Sequence, residues 1–441
     1  MKIKVLFLLA MSCLFVANAQ NPSWNSSVST ILTDNIASEK FQQKIKVYKE
    51  NIAFALTKEC NSKYYIEELV DTQVSSNKVA IGVDSIFDMA ILNEHIYFVG
   101  ENNSVGFIGR VFIPHLQSGS GDYEITPTST YKIRTIKTYN DSNGKQHVVG
   151  IGGSGSNHSL FFDFNDVNTP NFELKVIQIN NQKALYDLDV TDKFIAVVGI
   201  QYGSSFNLDQ SLIRIERDNT SIAQGYLFDH TINATRIMPD SYHEKMFVRH
   251  ALHDKVVIMM NAYDANNQFV TLLNCVDLHT PSYIYNVQAI CHDEKDMKIR
   301  DAIFDKGSNQ MYIVEDCTVK NTATPRHLSY IMHAAPYLQM TYIVRNFYDV
   351  NNLTYFNCID DLHTGRYIVA GVGTNCTDTY FAVKDDSQQT GPCLDDFAYK
   401  AVILNPLTCI SQVSTSFVQL VNPTWNTYQV PVQNQINVIC H

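Results

Sequence analysis

The chain alternates between short apolar runs and polar turns, and one arrangement of the two recurs. The stretch "FDMAILNEHIYFVG" (87–100) is an aromatic-Asp pair, an alternating run, a polar turn, and an apolar run ending Val-Gly. "YDLDVTDKFIAVVG" (186–199) repeats it almost slot for slot. Alternation with a period of two predicts a half-buried strand, and a short unbroken apolar run predicts a buried one. Turn residues between them predict a hairpin. "RDAIFDKGSNQMYIVE" (300–315) and "FNCIDDLHTGRYIVAG" (356–371) keep the same order of parts, and "IRTIKTYNDSNGKQHVVG" (133–150) and "FVRHALHDKVVIMM" (247–260) are looser copies.

Each of these six hairpins is followed by two more strand-like runs, such as "HSLFFDFND" and "FELKVIQIN", or "SLIRIERDN" and "IAQGYLFDH". In the sixth copy those runs are read as "FAYKAVILNP" and "ISQVSTSFV". Four antiparallel strands per unit, repeating about every 50–60 residues, resemble the blades of a β-propeller. The expected fold class is therefore all-β, a propeller of four-stranded blades. The resemblance is to the architecture in general, because neither the Gly-His and Trp-Asp pairs of WD repeats nor the combination of double glycine and spaced aromatics of kelch repeats is present.

Six copies give six blades, and the ends favour a seventh. Residues 41–75 hold about three further strands, and the tail "YQVPVQNQINVIC" (428–440) holds one or two more. Together they would close the ring by strand exchange and remove the exposed edges. The competing reading makes "SEKFQQKIKVYKENIAFAL" a helix capping six blades. The two tryptophans stand in matching contexts, "NPSWN" (21–25) and "NPTWN" (422–426), as expected of paired elements near a closure.

Residues 1–19 read as a signal peptide: Lys2 and Lys4, an apolar run, then "ANA" before Gln20. Export is expected, to the exterior, periplasm or cell surface, with residues 20–441 forming a single propeller domain. No later stretch approaches the ~20 apolar residues that span a bilayer, so no membrane insertion is expected. Without the leader, 31 basic residues stand against 44 acidic ones, a net of −13. That balance disfavours nucleic acid as a partner, which requires clustered Lys and Arg. Export permits disulfides. Two pairings are expected: Cys376 with Cys393 across the intervening excursion, and Cys60 with Cys440 tying the ends.

First strands of propeller blades line the channel, so equivalent positions form a ring. The second slot of the repeat reads Asp88, Arg134, Asp187, Asp301 and Asn357; the fourth copy has Val248 there and Arg249 next, and Asp189 and Asp360 lie just downstream. Such a ring suits a divalent cation or a polar ligand such as a sugar. The same carboxylates equally suit a structural role, accepting backbone N–H groups from the neighbouring blade or pairing with Arg.

Other motifs carry less. Gly150, Gly152 and Gly155 match GxGxxG, but a strand-like run follows where a dinucleotide site needs a helix. His243, His250 and His253 lack metal-site spacing. No resident metal or cofactor is predicted. Eight N-x-S/T sites occur, at Asn25, Asn102, Asn140, Asn157, Asn219, Asn233, Asn352 and Asn375, and they matter only in a glycosylating host. The expected function is an exported, non-catalytic module that binds a glycan, small molecule or protein through one face of the ring. The alternative is a carbohydrate-active or other channel-sited enzyme using the ring carboxylates.

Overall fold

The repeat folds as the hairpin its pattern predicts, because each polar turn reverses the chain between an alternating strand and a buried one. The computed structural model of the chain describes strand Ile31–Leu32 and, with short interruptions, residues 44–429. The described strands form seven antiparallel sheets. Their first strands are, in chain order, Lys44–Lys49, Ser85–Leu92, Tyr131–Asn140, Ala184–Val190, Phe247–His250, Lys295–Asp305 and Thr354–Asp361, and the sheets are numbered 1 to 7 accordingly. Neighbouring first strands touch in one closed cycle, the seventh returning to the first. The fold is a β-propeller.

Between consecutive sheets lie separate apolar clusters, filled by the inward residues of the alternating strands. Ile133, Val148 and Phe162 of sheet 3 meet Tyr97, Val99 and Ile108 of sheet 2. Ile258 and Leu272 of sheet 5 meet Val198 and Leu212 of sheet 4. At the closure, Ile45 and Ala55 of sheet 1 pack on Cys358 and Ile368 of sheet 7. The core is thus shared between blades, so no sheet buries its apolar face alone.

The recurrent Val-Gly ending has a local cause. In sheets 2, 3, 4, 6 and 7 the first strand carries a bulge, with Phe87, Arg134, Tyr186, Arg300 and Asn357 as the extra residues, and in sheet 1 it bulges at Tyr48. The bulge brings a first-strand carbonyl against the second strand. A Cβ on Gly100 would lie 1.9 Å from the Ser85 carbonyl oxygen, and one on Gly199 2.5 Å from that of Ala184.

The ends of the chain differ from the sequence expectation. Sheet 1 is built wholly from residues 44–81, so the segment read as a possible helix contributes strands Lys44–Lys49 and Ile52–Lys58. Sheet 7 completes itself with Asp378–Asp385, inside the excursion expected to be stapled off, and with Ile31–Leu32 from the N-terminal side. The runs read as the outer strands of the sixth copy serve other sheets. From Leu394 the chain adds one strand to the outer edge of each of five sheets in reverse order. Leu394–Tyr399 joins sheet 6, Ala401–Leu404 sheet 5, Leu407–Val413 sheet 4, Thr415–Val421 sheet 3, and Asn426–Gln429 sheet 2. Tyr428 and Gln429, expected in a closing blade with sheet 1, pair instead with Tyr123 and Asp122 of sheet 2.

This belt follows from sheet twist. Each strand is rotated by roughly 20–25° from its neighbour, so a fifth strand lies about 80–100° from the first. First strands run along the propeller axis, and fifth strands therefore run tangentially, head to tail around the rim. The belt covers the unpaired edges of five sheets. Sheet 1 manages its own edge: the last strand bulges around Ser75–Asn77, and Ser75 Oγ and Asn77 Nδ2 donate to Glu68 at 3.0 and 2.7 Å.

Candidate functional site in the central channel

Strand registers align the first strands level by level. Asp88, Thr135, Asp187, Phe247, Asp301 and Cys358 stand opposite corresponding second-strand positions, and Lys44 joins them from sheet 1. Two residues on, facing the same way, come Lys46, Ala90, Lys137, Asp189, Arg249, Ile303 and Asp360. Arg134 and Asn357, assigned by sequence to the level of the aspartates, are the extra residues of their bulges, one place upstream. Arg134 is exposed to solvent. Arg249 belongs to the second level, with Phe247 occupying the first.

The charged members bridge every junction between neighbouring sheets. Lys44 Nζ lies 3.4 Å from Asp88 Oδ1, joining sheets 1 and 2. Asp88 Oδ2 accepts the Ile136 backbone N–H of sheet 3 at 2.9 Å. Lys137 Nζ lies 3.4 Å from Asp189 Oδ1 of sheet 4. Asp187 and Asp189 accept the backbone N–H groups of Val248 and His250 in sheet 5, at 3.2 and 2.6 Å. The Arg249 guanidinium holds Asp187 on one side and Asp301 of sheet 6 on the other, the latter at 2.6 Å. Asp301 Oδ2 accepts the Ile359 N–H of sheet 7 at 3.2 Å. Asp360 closes the circuit by accepting the Val47 N–H of sheet 1 at 2.7 Å, with Lys46 Nζ 3.8 Å away.

Two rules therefore repeat around the channel. A first-level aspartate caps the N–H one residue beyond its own level in the next sheet, and a second-level aspartate does the same at its level. Burial pushes the Asp301 carboxyl up, but Arg249, Lys44 and Lys46 outweigh it and hold it at about 2. Burial also pushes the Asp189 carboxyl up, against Lys137 and Arg249, which bring it below the ordinary value. Lys44 is raised despite its burial, through Asp88, Asp301 and Asp187. The aspartates of sheets 2, 4 and 6 thus all favour the charged form of this one sheet 1 lysine. Burial and Asp301 raise the Cys358 thiol to about 12, which favours its neutral form.

No family model and no curated protein matches this chain. Among solved structures, the WD40 domain of SCAP from fission yeast aligns with 88% of this chain and 98% of that one, at 6% identity and a TM-score of 0.35. An exo-beta-1,3-galactanase from Phanerochaete chrysosporium aligns with 91% of this chain and 99% of that one, at 11% identity and a TM-score of 0.27. At such scores neither bears on the chemistry of this channel.

Sequence reasoning missed the cations Lys44, Lys46 and Lys137. For Lys44 and Lys46 the signal was the same i, i+2 spacing that marks Asp187 and Asp189, but "KIKVYK" lies outside the six recognised copies; Lys137 lies within a recognised copy, two residues after Thr135. The four cysteines of the expected disulfides, Cys60, Cys376, Cys393 and Cys440, lie outside the described residues, as do His243 and Gly155. Gly150 and Gly152 lie within strand Gln146–Ser154, and strand Asn157–Asn165 follows. His250 Nε2 meets the His253 carbonyl at 2.5 Å in a solvated turn. Among the described residues, no group of three His, Cys, Asp or Glu side chains is arranged to hold a metal ion.

Proposed function

We propose that the protein is an exported binding module that takes a polar ligand or a partner protein at the channel mouth and its surrounding loops. The observation that carries this reading is the closed circuit of channel charges. It fixes the blades into a rigid frame, the setting in which loops on one face act as a recognition surface. It also leaves charge within reach of solvent: the Lys44, Lys46 and Lys137 side chains are 24–26% exposed and Asp360 is 20% exposed. A ligand with both acceptors and donors, such as a glycan or a peptide segment, matches a mouth lined by both signs. An enzyme working on the ring by acid catalysis would need a carboxyl that is protonated near neutral pH, and Asp301 is held far from that.

A thermal-shift screen of the protein against divalent cations and a glycan panel tests this reading. A ligand at about 100 times its Kd stabilises by about 2.7 kcal/mol. The expected result is a shift that disappears in Lys46→Ala or Asp360→Asn while the unliganded protein remains folded. A flat response to the whole panel, together with no protein captured on an immobilised sample from the exporting host's surroundings, would sink it.

A further inference from the structure

We infer that the belt's outer edge is a self-association surface, and that its occupant is a second copy of this chain. Strand Thr415–Val421 is outermost in sheet 3, with no strand on its far side among the described residues. Leu407–Val413 is covered only at its start, where Leu407 and Thr408 pair with Ile284 and Tyr283. Bulges at Ile410 and Val418 bend the belt around the rim. Between them, Ser411–Phe417 crosses from sheet 4 to sheet 3, and the Asn180 N–H holds the Ser414 carbonyl at 2.9 Å. This stretch offers backbone donors and acceptors outward.

Edges of this kind are normally guarded by charge or proline. Here both are missing. Residues 401–440 contain no Asp, Glu, Lys or Arg, in a chain that is 17% charged, and no proline falls between Pro406 and Pro423. The exposed residues Ser411, Gln412, Ser414 and Ser416 are small or amide-bearing. Between its two bulges the stretch is left without either guard, a template for another strand.

The absence of charge also favours a second copy as the partner. The chain carries a net −11, all of it outside this arm, so two copies repel over most of their surfaces. Along the arm they bring no like charges opposite one another. An antiparallel strand can pair with itself about a two-fold axis, here near Ser414, which satisfies both edges at once and ends the assembly at two copies. The contact is small, below the ~1,200 Å² of standard interfaces, so it is expected to depend on concentration.

Sedimentation velocity of the full chain recovered from an exporting host is the test, run at increasing concentration. The expected result is a monomer that becomes a dimer, and a Gln412→Lys/Ser416→Lys variant that stays monomeric with an unchanged melting temperature. Hydrogen exchange of residues 411–417 should slow as concentration rises in the wild type only. A dimer that persists in the double variant, or species that grow beyond two copies, would overturn the proposal. So would a monomer at every concentration whose 411–417 amides are protected throughout, which would assign the edge to residues 430–441 of the same chain.

Discussion

The channel and the rim hold the same ring together by opposite means. At the axis, five aspartates and four cations interlock across the junctions between sheets, each carboxylate also capping a backbone N–H. At the rim, the belt ties five sheets by backbone ladders and one aromatic clasp, and from residue 401 on it carries no Asp, Glu, Lys or Arg. Trp425 is that clasp: its ring lies 4.9 Å from Phe172 and 4.4 Å from the Arg110 guanidinium, and its Nε1 donates to the Val167 carbonyl at 3.2 Å. The difference follows from space. First strands crowd around the axis, where short polar side chains can span a junction. At the rim the sheets diverge, and additional backbone bridges the gap beside the clasp. Buried charge is unforgiving of substitution, whereas a strand ladder distributes its contribution over many weak bonds.

The largest expected effect is therefore at Arg249. Its replacement by Met would leave Asp187 and Asp301 buried without their shared cation, a loss of about 3–5 kcal/mol. Urea unfolding followed by far-UV circular dichroism measures it. A loss below about 1 kcal/mol would mean that the channel is wetter than its geometry implies and would erase the contrast with the rim.

Trp425→Ala comes next. The side chain is half-buried, so about 2 kcal/mol is expected, less than the 3–5 kcal/mol of a fully buried Trp. The contrast predicts where the damage appears. Hydrogen exchange should quicken in Thr415–Val421 and Asn426–Gln429, and stay unchanged in the first strands. Equal acceleration at the axis would show that the belt and the channel form one cooperative unit.

The repeat unit was legible in the sequence because period-two alternation and turn chemistry act locally, within a hairpin. The belt was not, for a physical reason. "FAYKAVILNP" and "ISQVSTSFV" have strand composition, but strand composition does not say which edge a strand will join. That depends on the accumulated twist of four preceding strands, a property of the whole sheet. The channel was half legible. Asp88, Asp187 and Asp301 were found from their slot, whereas Arg134 and Asn357 were placed one residue off because Ile133 and Phe356, which stand at the level of Ile86 and Leu185, fill the aromatic slot of the pattern. Sheet 1 supplied its lysines from a strand with no counterpart motif.

The smallest effects separate two contributions within the channel, at Lys46 and Asp360. Asp360 accepts the Val47 N–H at 2.7 Å and faces Lys46 at the longer 3.8 Å. Both side chains keep some solvent contact, so the ion pair should be worth less than ~1 kcal/mol, and Lys46→Ala should cost no more than that. Asp360→Ala additionally strands a part-buried backbone donor, for a cost of about 1–3 kcal/mol. In the double variant, a coupling energy within the ion-pair range would show that these aspartates serve the ring chiefly as caps on the next sheet, with the lysines as neutralising company. If Lys46→Ala cost as much as Asp360→Ala and the two were strongly coupled, charge pairing would be the main closure force, and the junctions whose aspartate caps an N–H without an ion pair across them, at Asp88 and Ile136 and at Asp301 and Ile359, would be the weak points of the ring.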